Sequence, residues 1–207
     1  MRLAQANAPA AGFNPKMSRF AVEILVIGAV VVALGFAAVL GGGALAAALT
    51  PVVPLSFDRK LGEIGAMTVM ADECKNPAAK KYVEELARPL LAEAGELPFE
   101  FSFRVVNDEA VNAFCLPGGF VTVNRGLLEA AESGEEVAGV LGHEIQHALL
   151  RHGTRRMLRE MGGSLALSLM LGGTDLHQYG SLAKDLTGLS YDRGQESEAD
   201  REGVRLL

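Results

Sequence analysis

Two histidines stand four residues apart in GHEIQHALLRH, residues 142–152, within a run otherwise apolar enough to form a buried helix. Side chains at i and i+4 of an α-helix share one face, so His143 and His147 point at a common spot. That spot is a candidate metal position. Ser133, with Glu136 three residues on, has the spacing of a capping box and predicts where the helix begins. Val137, Val140, Leu141, Leu149 and Leu150 supply its apolar positions.

The pattern H-E-x-x-H gives its residues different tasks. Neutral imidazole is a good zinc ligand, and catalytic zinc commonly takes three protein ligands, leaving one position for water. Glu144 follows the first histidine too closely to ligate comfortably beside both, but it can take a proton from that water. A third ligand should come from a separate segment. In GQESEAD, Glu196 and Asp200 lie four apart on one predicted helical face, so one can bind metal while the other accepts a hydrogen bond from a ligating imidazole. Read alone, this pair is better taken as a solvated acidic helix face. Glu198 points elsewhere, His152 projects away from the ligand face on a helical wheel, and His177 falls in a polar loop. No Ser-His-Asp or Cys-His arrangement competes with the metal.

Ile24 to Leu49 contains no charged residue, and its 26 positions at about 1.5 Å each exceed the roughly 30 Å hydrocarbon thickness of a bilayer. A transmembrane helix is expected over residues 20–49. A cleaved signal peptide is the competing reading, but its apolar core is typically only about 7–15 residues. Arg2, Lys16 and Arg19 precede the span, so residues 1–19 are expected on the cytoplasmic side and the bulk of the chain outside it. Residues 50–56, with Pro51 and Pro54, read as a linker, and 57–207 as the soluble domain. A net charge of −6, no Trp and no basic run exclude a nucleic-acid surface. Cys74 and Cys115 are expected to be unpaired thiols, because two cysteines do not make a disulfide framework.

Within the domain, residues 77–94 have a helical pattern that Pro89 should bend or divide. FEFSFRVV, residues 99–106, alternates strictly and predicts a half-buried strand; GFVTV, residues 119–123, predicts a second after a Pro-Gly-Gly turn. A small antiparallel sheet follows from the two. MGGSLALSLMLGG, residues 161–173, is too short to cross a bilayer and reads as a buried or interfacial helix. ESEADREGVRLL forms a last helical segment, which the chain should leave in mid-helix at Leu207.

Three separated stretches, NAFCLPGGFVTVNRGLL, EEVAGVLGHEIQHALLRH and YDRGQESEADREG, in this order, resemble the HtpX-like and CAAX prenyl-endopeptidase family of zinc metalloproteases. The likeness covers about Val105 to Gly203. It implies an α+β zincin fold with a small sheet packed over the helix of the histidines. It also implies Glu196 as third zinc ligand, Asp200 as the carboxylate behind a ligating imidazole, and Arg193 as a partner for a nearby acid. Extended polypeptide substrate would lie along an exposed strand edge, either Asn112, Ala113 and Phe114 or the strand starting at Gly119.

The expected activity is therefore that of a membrane-anchored zinc endopeptidase, with Glu144 as general base and damaged or misassembled envelope proteins as substrates. The expected place is a bacterial-type inner membrane, with the domain on the extracytoplasmic side. The competing reading is a membrane-tethered, zinc-stabilised binding or chaperone-like module. Relatives of this family continue beyond the E-x-x-A-D element, often with a Thr-His-Pro sequence. This chain is accordingly expected to be a piece of a longer protein, or a minimal variant with a more open cleft.

Overall fold

Alternating apolar residues in two short runs build the sheet that carries the site. The computed structural model describes residues 43–69 except 45, residues 73–160 and 191–207, together with 22 and 24. Contacts divide the chain into Met1–Gly42 and Gly43–Leu207, and the second unit is described below.

β1 spans Ser102–Val106, β2 Ala113–Leu116 and β3 Phe120–Asn124. Their order is β1-β3-β2. β3 runs parallel to β1, pairing Phe103 with Val121, and antiparallel to β2, pairing Cys115 with Val121. The sheet is thus mixed, whereas the sequence suggested an antiparallel one. The sequence reading placed a turn just before the second strand; that turn joins β2 to β3, and β1 enters on the far side of β3. At that turn Gly119 holds φ +85°, a left-handed conformation that favours glycine.

Side chains on a strand alternate between faces, and here both faces are covered. Phe103 and Val105 of β1, Ala113 and Cys115 of β2, and Val121 and Val123 of β3 join one core. That core also takes Val83, Ala87 and Leu90 from α2 (Pro77–Glu93), and Val137, Leu141, Ile145 and Ala148 from α4 (Gly134–Leu149). Leu116, with Phe114 and Phe120 beside it, faces a second core containing Phe57, Leu61 and Ala66 of α1 (Leu55–Val69). Met157 and Leu158 of the helical segment 152–160 complete it, together with Ala46 and Val53. Part of the stretch read as membrane span and linker therefore packs into the domain.

α2 remains one helix despite Pro89. Asn76 caps it, accepting a hydrogen bond from the Ala78 amide at 3.0 Å. Ser133 caps α4 as expected, taking the Glu136 amide, while the Glu136 carboxylate reaches back to the Glu132 amide at 2.9 Å. α3 (Arg125–Ala130) links β3 to α4. α5 (Arg193–Gly203) begins in a full capping box between Asp192 and Gln195. A 3-10 turn, Val204–Leu206, follows α5 and buries Leu206, so the last residues leave the α-helix earlier than the sequence pattern suggested.

Among the described residues no helix is long and apolar enough to cross a membrane. Most of the expected span at 20–49, the apolar segment 161–173 and His177 lie outside them.

Candidate metal centre

The buried stripe Val137, Leu141, Ile145 and Ala148 fixes the rotation of α4 against the sheet. With that stripe inward, His143 and His147 face α5. The Nε2 atoms of His143 and His147 lie 2.9 Å apart. A carboxylate oxygen of Glu196 approaches them at 3.3 Å and 3.9 Å respectively. These three residues offer donor atoms within 4.8 Å of one another. Zinc with arms of about 2.0–2.1 Å in tetrahedral geometry separates its donors by about 3.3 Å, so the arrangement fits the ion. Two imidazole lone pairs facing each other this closely would repel, unless a cation or proton stood between them.

The donors are oriented from behind. Asp200, one turn beyond Glu196 on α5, lies 2.8 Å from Nδ1 of His143. Accepting that N–H leaves the Nε2 lone pair for a metal. His147 is 2 % exposed, and its Nδ1 meets Nδ1 of His152 at 3.0 Å. Burial, followed by the neighbouring His143 and His147's other neighbour His152, pulls the His147 pKa down to about 3, which keeps it neutral. The Tyr191 ring stacks on His147 with centroids 3.9 Å apart, and its hydroxyl donates to the Cys115 carbonyl at 3.3 Å.

The comparisons with known proteins bear on this geometry. Residues 74–207 match the model of peptidase family M48. The chain belongs to this family. It is 29% identical over 169 residues to the β-barrel assembly-enhancing protease of Yersinia pestis, covering 74% of this chain and 35% of that protein. It is 28% identical over 165 residues to the mitochondrial metalloendopeptidase OMA1 of Schizosaccharomyces pombe, covering 75% of this chain and 48% of the relative. To OMA1 of Arabidopsis thaliana it is 38% identical over 111 residues, 50% of this chain and 21% of that one. The chain spans about a third of the length of the Yersinia protein and less than half of either OMA1. Its mixed helix and small-sheet domain is consistent with that membership.

Within this M48 domain the carboxylate of Glu144 is almost wholly buried beside the donors. Burial raises its pKa to about 8, the Cys115 main-chain N–H opposes the rise, and Glu196 adds to it. A carboxyl that changes charge near neutrality suits general-base work. Burial first, then Glu144, pushes the Cys115 thiol pKa well up, which works against a nucleophilic role; both cysteines are free.

Other expected residues fall in different places. Among the described residues β2 is an edge strand, so Asn112, Ala113 and Phe114 border an unpaired side of the sheet. β3 is central and paired on both sides, which removes the strand beginning at Gly119 as a substrate edge. Gly119 itself is buried; a methyl group there would stand 2.9 Å from the Phe99 ring, so its role is close backbone packing. Arg193 is exposed and, among the described residues, forms no ion pair with an acid. It is Arg159 that pairs with Asp192, at 2.6 Å.

Sequence reasoning missed His152, Glu198 and Tyr191. A helical wheel sent His152 away from the site, but α4 ends at Leu149 and Arg151 turns left-handed with φ +55°. The next helical segment thus returns His152 beneath His147. The signal was the polar break Arg151-His152-Gly153 after two leucines.

Proposed function

We propose that this chain is a zinc-dependent endopeptidase in which His143, His147 and Glu196 hold the metal. The single observation that carries the reading is the convergence of two Nε2 atoms and one carboxylate oxygen from α4 and α5, with Glu144 buried beside them. Zinc, when bound, supplies a Lewis acid and makes water acidic enough to act near neutral pH.

The chain's own residues do the rest. Glu144 takes the proton of the attacking water and returns it to the leaving amine. Asp200 keeps His143 in the tautomer that presents Nε2. The open edge of β2 at Asn112, Ala113 and Phe114 holds substrate extended by main-chain hydrogen bonds. At Cys115 that edge is already engaged, its N–H by Glu144 and its carbonyl by Tyr191, so Ala113 is the position left to pair with substrate.

The three sequence stretches resemble those of HtpX-like and CAAX prenyl-endopeptidase proteins, and the relatives carry the names β-barrel assembly-enhancing protease and OMA1. Both likenesses support polypeptide substrates, and we propose that these are damaged or misassembled envelope proteins met at a membrane. An N-terminal anchor at residues 20–49 with the catalytic domain outside the cytoplasm accords with the uncharged stretch and the basic residues before it.

The test is Glu144→Gln in the full chain. Loss of cleavage of an unfolded protein such as casein, with stoichiometric zinc retained, is the expected result. Zinc-loaded wild type that leaves casein intact would instead favour a binding module. A reporter fused after Leu207 that is active only in the cytoplasm would overturn the topology.

A further inference from the structure

His152 is fully buried although it belongs to no ligand set. Its Nδ1 lies 3.0 Å from Nδ1 of His147, and its Nε2 lies 3.2 Å from a carboxylate oxygen of Glu198. Glu198 also meets Arg155 at 3.5 Å. Gln195 fixes the backbone of the same histidine by donating to the His152 carbonyl at 3.1 Å.

These contacts determine where the protons sit. An ionised carboxylate can only accept, so Nε2 of His152 must carry the hydrogen. A neutral imidazole with its hydrogen on Nε2 has a lone pair on Nδ1, which then accepts from His147. His147 thereby holds its hydrogen on Nδ1 and presents the Nε2 lone pair toward His143 and Glu196. His143 reaches the same tautomer through Asp200.

We propose that Glu198 and His152 are positioning residues, a buried relay that sets the tautomer of His147 and holds its Nε2 ready for the metal. The consequence for zinc rests on the metal reading above; the proton order does not. Ligating histidines held from behind in this way lose about 10- to 100-fold in metal affinity when the partner is removed.

Packing alone makes a different forecast from the relay. His152→Leu fills the volume but offers no acceptor, whereas His152→Asn is smaller and keeps an oxygen near the place of Nδ1. The relay requires zinc affinity to fall about 10- to 100-fold in His152→Leu and to be largely restored in His152→Asn. Packing requires the reverse order. Glu198→Ala, a partly exposed position, tests the outer link without emptying the core.

The experiment uses the full chain with 15N-labelled histidine. Ring-nitrogen NMR of the zinc-free protein reads the tautomers, and chelator competition reads the zinc dissociation constant. Hydrogens on Nδ1 of His147 and Nε2 of His152, the second randomised in Glu198→Ala, are expected. A hydrogen on Nδ1 of His152 in wild type, or His152→Leu and Glu198→Ala both binding zinc within twofold of wild type, overturns the relay. Wild type that binds no zinc overturns the metal reading, and the ring spectra still decide the proton order.

Discussion

Gly142 and Gly203 face each other where α4 and α5 cross. A methyl group on Gly142 would stand 3.2 Å from the Gly203 carbonyl oxygen, and one on Gly203 would stand 3.1 Å from the His143 amide nitrogen. Backbone meets backbone on both sides, so neither helix can yield locally. This close approach brings Glu196 and Asp200 within reach of His143 and His147. Gly203→Ala should push α5 outward by several tenths of an ångström and weaken zinc binding about tenfold or more. Chelator competition measures it, and unchanged affinity would mean that the helices are not held by this contact.

A buried ion pair ties the start of the domain to the end of α4. Arg151 pairs with Asp58, which is 1 % exposed, and donates to the Thr50 carbonyl at 2.7 Å and the Val53 carbonyl at 2.9 Å. Removing one member of such a pair leaves a buried charge alone, which costs about 3–5 kcal/mol. Asp58→Ala should lower unfolding stability by that amount in urea titration. The loss should also loosen the turn that returns His152 to the site.

The raised pKa of Glu144 gives a pH prediction for the metal-free protein. Its carboxyl titrates near 8 when folded, against about 4.5 unfolded, so its contribution to stability is present below pH 4.5 and is lost as pH rises to 8. Glu144→Gln removes that penalty. The variant should therefore exceed wild type in metal-free stability, with a gap that widens between pH 4.5 and 8 towards a ceiling of about 5 kcal/mol. A gap that shrinks with rising pH would contradict the buried, protonated carboxyl.

His147 acts in the opposite sense. Its folded pKa is depressed to about 3 from 6.5, so the stability it contributes is complete above pH 6.5 and disappears as pH falls towards 3. In the Glu144→Gln background, where the carboxyl no longer titrates, metal-free stability should decline steadily below pH 6.5. Denaturant melts at pH 7, 5.5 and 4 check it.

Zinc ought to stabilise the native state in proportion to its binding. At a free concentration 100-fold above the dissociation constant it adds about 2.7 kcal/mol. EDTA should reverse the gain, and Glu196→Ala should abolish most of it. A thermal melt indifferent to both zinc and EDTA would argue against a folded-state metal site.

The order of elements around the site was legible because it depends on local periodicity. Ser133 and Glu136 marked the start of α4, the alternation around Phe103 and Val105 marked β1, and the i, i+4 spacing placed His143 and His147 on one face. Family resemblance supplied Glu196 and Asp200, which periodicity alone left as a solvated acidic face. The strand pairing was not legible, since alternation gives a strand its faces but not its neighbours, and β1 proved parallel to β3.

By itself, the sequence determined which residues can ligate and which helix carries two of them, because those properties follow from side-chain chemistry and a 3.6-residue turn. Tertiary structure alone decided what stands behind each ligand. A left-handed residue at Arg151 returned His152 to His147, and a glycine contact set α5 against α4, bringing residues 46 to 57 positions apart in sequence into hydrogen-bond range. Such contacts depend on where the chain turns and how closely its backbones pack, and neither is written in the local pattern.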